Sequence, residues 1–231
     1  LIESGCLDYV VALVERFGRE KFIVAPVSAP LWAAYQYLGV KGTLIALLTN
    51  PSLVEYLVER LSLQSLETLR AYAEAGIDGV WLEDCLCSAN EISLRHFERF
   101  ALPYAGKLIS DTRRLGMKGI YYFCGGVRDR LEKIIAMEPD AVSLEESKKS
   151  FRIDIEWVDA VVKGRACLFG NLDAINLLPK ASTEELERGI ERQIKVGRRS
   201  RRFVMSLGSP VTPGTTISRV KEYVDITRRL S

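Results

Sequence analysis

Residues 119–124 read GIYYFC and residues 141–145 read AVSLE, and these two runs decide how the chain folds. Each is nearly continuously apolar and ends in a reactive or charged side chain. Short runs of this kind are typical of strands that are buried on both faces of a parallel sheet. Four further runs share the pattern: residues 22–27, 79–83, 166–170 and 203–207.

Amphipathic stretches separate these runs, and their spacing predicts helices. Asn50 before Pro51 is typical of a helix N-cap, and so is Ser182 before two glutamates. Glycines 76, 116, 164 and 197 each follow a helical stretch and predict its C-terminal end. The predicted helices are residues 7–17, 51–75, 93–115, 127–137, 155–163, 183–196 and 215–230.

Regular alternation of strands and helices predicts an α/β fold with parallel strands and right-handed crossovers. The first strand is followed by a proline-containing segment and not by G-x-G-x-x-G, which disfavours a dinucleotide-binding open sheet. Polar side chains recur at the strand ends, as in a barrel. We therefore expect residues 1–231 to form a single TIM-type (β/α)8 barrel domain, with roughly the first two units absent from this chain.

Composition excludes several classes of function. The 231 residues carry a formal net charge of +2, which gives no electrostatic case for nucleic acid or an anionic membrane. No apolar stretch approaches the ~20 residues of a membrane helix. Five scattered cysteines, an odd number, indicate reduced thiols and a cytoplasmic protein.

Four segments, in order, resemble the uroporphyrinogen decarboxylase superfamily: residues 29–39, 91–104, 169–173 and 206–210. The resemblance implies a TIM barrel and, as is known in the family, a homodimer. One branch of the family decarboxylates uroporphyrinogen without a cofactor. The other transfers methyl groups between a corrinoid and a thiol that zinc holds as a thiolate.

Departures from the family pattern bear on the zinc site. Methyltransferases of this branch carry His-x-Cys at one strand end, where this chain has Tyr122 and Cys124. Ser209 stands in the final loop, where either branch would place its ligand or its histidine. A rebuilt site could use Cys124 with Cys85 and Glu83, since zinc accepts thiolates and carboxylates. The single histidine, His96, is predicted on a helix surface, so a two-histidine site within this chain is excluded.

Each catalytic candidate also has an ordinary structural explanation. Cys124 precedes a predicted helix, which favours a thiolate, but it could equally be a buried apolar residue. Glu145 and Glu146 could transfer protons or bind Lys148 or Lys149. We expect the catalytic residues to include Cys124, Glu83, Glu145 and Tyr122.

The substrate-binding candidates come mainly from the resemblance. Tyr35 or Tyr37 matches the family's active-site tyrosine, with packing as the alternative. Asn171 and Asp173 follow a glycine in a turn, where such side chains often bond their own backbone. Ser209 completes the set.

The resemblance implies that the chain is nearer to the corrinoid methyltransferases than to the decarboxylases. We expect methyl transfer between a corrinoid and a thiol or related small molecule, with a corrinoid protein as partner. Decarboxylation of uroporphyrinogen or another carboxylate, without a cofactor, is the alternative. A non-catalytic barrel that binds a partner is a second alternative.

Overall fold

Six parallel strands form one sheet, and their order in the sheet follows the chain from β1 to β6. The computed structural model describes residues 5–200 and 202–231. Residues 1–4 of the predicted domain and Arg201 lie outside the described residues. The strands are β1 Val24–Ser28, β2 Gly79–Asp84, β3 Lys118–Phe123, β4 Ala141–Leu144, β5 Cys167–Phe169 and β6 Phe203–Val204.

Helices connect successive strands, and a single π-helical turn, Phe97–Ala101, lies between α4 and α5. No helix in the described part of the chain is both long and apolar enough to cross a membrane. The helices are α1 Asp8–Phe17, α2 Pro30–Thr49, α3 Pro51–Glu74, α4 Leu94–His96, α5 Leu102–Arg114, α6 Leu131–Ala136, α7 Ile155–Val162, α8 Leu177–Lys180, α9 Thr183–Ser200 and α10 Ile217–Leu230.

Sequential parallel strands joined by helical crossovers form the wall of a TIM-type barrel, so the predicted fold class is confirmed. All six predicted strands are present, with bounds that differ by up to three residues at either end. β4 is buried at all four positions, as expected for a strand covered on both faces. In the described residues, β1 and β6 each pair with one neighbouring strand.

Local signals fix most helix ends. The Asn50 side chain accepts a hydrogen bond from the Leu53 N–H at 3.3 Å and caps α3. Ser182 and Glu185 form a reciprocal capping box at the start of α9. Gly76, Gly116 and Gly164 have positive φ angles, which allow a sharp helix end.

The prediction that Gly197 ends a helix was wrong, because α9 continues to Ser200. Gly197 lies against the Phe203 ring, and an added side-chain carbon would come within 2.7 Å of that ring. Its role is therefore close packing of α9 on β6. The extension of α9 also places Arg198 and Arg199 in its last helical turn.

Two further helical features were not predicted. α2 was missed, and it is kinked at Gly39, whose φ of 70° lies in the left-handed region. The π-helical turn precedes α5 because Pro103 has no N–H for the Arg99 carbonyl, so the hydrogen-bond pattern must change there.

The strands alternate between a face that lies inside the barrel and a face that packs on the helices. Trp81, Tyr122 and Phe169 meet inside, with Trp81 at ring centroid distances of 5.3 and 5.5 Å from the other two. On the helix side, Phe97 packs edge-on against Phe123. The main core is the layer between the strands and the helices.

Phe97 should contribute strongly to folding, because its side chain is fully buried between Phe123 and the Arg130 guanidinium. We expect Phe97→Ala to lower the free energy of unfolding by about 3 to 5 kcal/mol, through lost burial and the cavity left behind. Leu48→Ala is the matched control, since Leu48 is 74% exposed on α2. Urea denaturation that finds the two variants equally stable would contradict the described packing.

Candidate functional site

A cavity of about 460 Å³ opens at the C-terminal ends of the strands. Trp81 and Glu83 of β2 and Tyr122 of β3 form one wall, and Tyr223 of α10 reaches it from the far side. The final loop after β6 supplies the remainder of the lining. That loop contributes Met205, Ser206, Leu207, Gly208, Ser209, Pro210 and Val211.

Cys85 and Cys124 face each other beside this cavity, with their sulfur atoms 3.0 Å apart. The strand register explains the contact. Asp84 of β2 pairs with Phe123 of β3, so the next residue on each strand is brought alongside the other. Hydrogen bonding to the Cys124 sulfur, together with burial, raises the pKa of the Cys85 thiol. Either sulfur can donate the hydrogen bond that joins the pair.

Tyr122 lies next to the sulfur pair on the inner face of the barrel. Burial, together with the nearby Cys124 sulfur and Glu145, raises the pKa of Tyr122, so the phenol keeps its proton. The Cys124 sulfur therefore has a protonated phenol on one side and the Cys85 sulfur on the other.

Glu83 lies two residues before Cys85, on the same inner face, and lines the cavity. Burial raises the pKa of Glu83. A carboxylate whose pKa is raised toward neutral pH can accept a proton and return it, as a general base must. The structure therefore brings together four of the predicted residues: Glu83, Cys85, Tyr122 and Cys124.

Lys148 joins the loop after β4 to the final loop. Its ammonium lies 2.8 Å from Glu146 and 3.5 Å from Glu145, and donates to the Ser209 hydroxyl at 2.9 Å. The alternative prediction of a lysine ion pair for both glutamates is confirmed. Gly208 is required here, because a side chain on it would collide with the Glu146 backbone. Sequence reasoning did not identify that Lys148 binds Ser209.

Glu145 also connects this cluster to the sulfur pair. Its carboxylate accepts a hydrogen bond from the Gly125 N–H at 2.8 Å, directly after Cys124. Glu145 therefore holds the loop that positions the Cys124 sulfur.

Asn171 and Asp173 are occupied by bonds within the chain. Asn171 is buried and donates to the Glu145 and Ile153 carbonyls, while Gln193 donates to its side-chain oxygen at 3.0 Å. Asp173 accepts from the Ile175 and Asn176 N–H groups. Burial opposes but does not outweigh these bonds, which hold the pKa of Asp173 below its usual value. Substrate contact by either residue stays a prediction.

The two tyrosines of α2 have different environments. Tyr35 is buried and donates its hydroxyl to the Leu86 carbonyl at 3.0 Å. Tyr37 is 66% exposed and lines a separate cavity of about 200 Å³ beside Ser28. Packing is thus the described role of Tyr35, and a substrate contact by Tyr37 stays a prediction.

A buried polar layer supports the site from behind β2 and β3. Tyr121 donates its hydroxyl to the Asp84 carboxylate, and the Cys87 thiol also contacts it. Arg130 is fully buried and donates to the Cys87 and Ile92 carbonyls. Sequence reasoning missed Arg130, because nothing in the sequence distinguishes it from a surface arginine.

The geometry does not fit the predicted zinc site of Cys124, Cys85 and Glu83. The described residues contain no group of three or more histidine, cysteine or acidic side chains able to hold a metal. Two sulfur ligands of a tetrahedral zinc ion lie about 3.8 Å apart, whereas these lie 3.0 Å apart. The helix expected to favour a Cys124 thiolate also begins later, at Leu131.

The fold and its cleft define a TIM-type barrel protein with its polar residues at the C-terminal strand ends. The family model described as Uroporphyrinogen decarboxylase (URO-D) matches residues 3–230. The chain therefore belongs to the uroporphyrinogen decarboxylase family, which confirms the resemblance seen in its four sequence segments.

Curated relatives fall in both branches of the family. The chain is 24% identical over 191 residues to "Methylcobamide:CoM methyltransferase MtbA" of Methanosarcina acetivorans, covering 83% of this chain and 54% of that protein. It is 27% identical over 190 residues to a uroporphyrinogen decarboxylase of Aquifex aeolicus, covering 81% and 52%. The chain thus spans about half the length of these relatives.

A solved structure supports the fold. The chain superimposes on a methyltransferase from Methanosarcina mazei with a TM-score of 0.84 at 21% identity. The match covers 96% of this chain and 63% of that one. The likeness establishes the barrel architecture.

The zinc content of the purified protein tests whether Cys85 and Cys124 form a zinc site. We expect protein purified without chelator to contain far less than one zinc per chain by elemental analysis, because two close sulfurs lack a third ligand. Cys85→Ser should leave that low value unchanged. Equimolar zinc in the parent that is lost in Cys85→Ser would contradict this description.

Asp84 should make stability depend on pH. Burial raises the pKa of Asp84 to about 6, although bonds from Cys87 and Tyr121 and the Arg130 charge oppose the shift. Its unfolded value is about 3.9, so between about pH 4 and 6 the folded state binds more protons. The contribution of Asp84 to the free energy of unfolding is therefore fully present below about pH 4. It falls by roughly 3 kcal/mol as the pH rises through about 6.

Denaturation of the parent chain and Asp84→Asn across this range measures the effect. The difference between their two profiles isolates Asp84 from the other carboxyl groups. A difference that stays constant from pH 4 to 7 would show that Asp84 titrates normally.

Proposed function

We propose that this chain catalyses methyl transfer between a corrinoid and a thiol or related small molecule. The observation that carries the proposal is the Cys124 sulfur, which contacts the Cys85 sulfur and lies two residues beyond Tyr122, a lining residue of the 460 Å³ cavity. Glu83, whose pKa burial raises, shares that wall. Similarity to MtbA of Methanosarcina acetivorans supports the same reaction class.

Each side chain takes a definite part in the proposal. The small acceptor binds against Trp81 and Tyr223, and Glu83 takes the proton that its sulfur must lose, since a thiolate is the reactive form. Cys124, two residues beyond the lining residue Tyr122, positions the acceptor from beside the cavity. The Tyr122 ring and the final loop shield it from water. A bound corrinoid would supply the methyl group.

Charge at the cavity favours this reaction over uroporphyrinogen decarboxylation. Among the described lining residues, the one charged side chain is Glu83, and none is cationic. Lys148 is the nearest lysine of the adjoining cluster, and two glutamates already bind it. A substrate with several carboxylates needs cationic partners, because buried anions are costly when unpaired. Decarboxylation is therefore the second candidate.

The partner in this proposal is a protein that carries the corrinoid. It would approach the C-terminal ends of the strands, where the cavity opens. A homodimer of this chain stays a prediction, and sedimentation equilibrium would measure it.

Substitutions at the two reactive groups test the assignment. With methylcobalamin as donor and a small thiol as acceptor, we expect Cys124→Ser to lower kcat/KM about 100-fold through misplacement of the acceptor. Glu83→Gln, which keeps the shape but removes the base, should lower kcat about 100-fold or more. Demethylation of the corrinoid, followed by absorbance, measures both.

Matched variants control for general damage. Cys167→Ser changes a half-buried cysteine away from the cavity, and Glu74→Gln changes an exposed glutamate of α3. Both should retain parental rates. Carboxyl loss from uroporphyrinogen, with no methyl transfer by any variant, would establish the second candidate in place of the first.

A further inference from the structure

We propose that Cys85 and Cys124 form a reversible disulfide, which makes the sulfur pair a redox-modification site. Its chemistry is independent of the reaction proposed above, and only its effect on methyl transfer rests on that proposed function. The sulfurs lie 3.0 Å apart, which is too close for shared zinc coordination but within a short movement of a covalent bond.

Backbone geometry favours the bond. Cys85 and Cys124 follow directly after Asp84 and Phe123, which are register partners in neighbouring parallel strands. Neighbouring strands are about 4.8 Å apart, and disulfides join Cα atoms about 4.4 to 6.8 Å apart. The sheet therefore presents the two cysteines at a separation that a disulfide spans without backbone movement.

The pair is also reachable and distinct from the other thiols. Both cysteines are half-buried at the barrel mouth, whereas Cys87 is fully buried against Asp84. Cys6 is exposed before α1, and Cys167 lies at the opposite end of the strands, at the start of β5. Among the described residues, only Cys85 and Cys124 have their sulfur atoms in contact.

The oxidant belongs to the class of hydrogen peroxide or small disulfides. With peroxide, the Cys124 sulfur attacks one oxygen, the O–O bond breaks, and one water leaves after protonation. The resulting sulfenic acid is attacked by the Cys85 sulfur, forming the S–S bond and releasing a second water. Two thiols lose two electrons and two protons, and peroxide gains them. A dithiol reductant reverses the change by thiol–disulfide exchange.

Oxidation would bind the Cys124 sulfur, which lies beside the cavity, to Cys85. The Cys124 sulfur would then turn toward β2, away from Tyr122 and from the acceptor. Methyl transfer should therefore stop in the oxidised protein and return on reduction.

Mass spectrometry of the full chain tests the proposal. After brief treatment with an equimolar amount of hydrogen peroxide, we expect a mass about 2 Da lower and a cross-linked peptide that contains Cys85 and Cys124. Titration of the unfolded chain should find three of the five cysteines reactive. Dithiothreitol should restore all five.

Two cysteine variants test whether the cross-link joins Cys85 to Cys124. Cys85→Ser should block the mass loss and leave Cys124 as a sulfenic acid that dimedone captures. Cys167→Ser should form the disulfide as the parent does. Cross-links that involve Cys6, Cys87 or Cys167 instead, or no loss of thiols at all, would overturn the proposal.

Activity separates this proposal from the proposed function. If the disulfide forms and reduced protein transfers no methyl group, the function is wrong and the redox site stands. If reduced protein is active and peroxide lowers activity without a Cys85–Cys124 cross-link, the redox site is wrong and the function stands.

Discussion

The parallel register between β2 and β3 is the constraint on which the site depends. Asp84 lies opposite Phe123, so the residues that follow, Cys85 and Cys124, must meet at the mouth of the barrel. The same register sets Glu83 beside Tyr122 on the inner face. A shift of one residue would turn every one of these side chains to the other face, because side chains alternate along a strand.

The residues behind the strands explain how this register tolerates polar groups. Asp84 and Tyr121 point away from the cavity, where Cys87 and the fully buried Arg130 surround them. A buried carboxylate without such partners would cost several kcal/mol. The layer compensates the charge of Asp84 only in part, since its Oδ1 atom has no hydrogen-bond partner among the described residues. It leaves the inner face to Glu83, Tyr122 and Cys124. Its hydrogen bonds also fix the segment that carries Cys85.

The charges around the cavity restrict which ligands suit it. Three carboxylates lie in or beside the cavity, those of Glu83, Glu145 and Glu146. They outnumber the single ammonium of Lys148, which joins the loop after β4 to the final loop. Aromatic and aliphatic groups provide most of the remaining wall. A small, weakly charged acceptor fits this lining better than a polycarboxylate. The two close sulfurs add a redox chemistry that a closed zinc site would prevent, since zinc would hold both thiolates apart.

The sequence by itself determined the strand order, the barrel class and the identity of the strand-end residues. Those properties follow from local periodicity and from the rule that parallel strands end on one side of the sheet. The family came from a different signal, the resemblance of four ordered segments. Periodicity missed α2, since its interruption at Gly39 obscures the helical repeat. It also placed a helix end at Gly197, whose actual role is contact with Phe203.

Only the tertiary structure decided which strand-end residues act together. Cys85 meets Cys124 across 39 positions of sequence, and Lys148 meets Ser209 across 61. Asn171 donates to two backbone carbonyls and accepts from Gln193, while Asp173 accepts from two backbone N–H groups. Sequence spacing cannot give such outcomes, because less than one ångström in the sulfur–sulfur distance separates a zinc site from a thiol pair. Packing sets that distance.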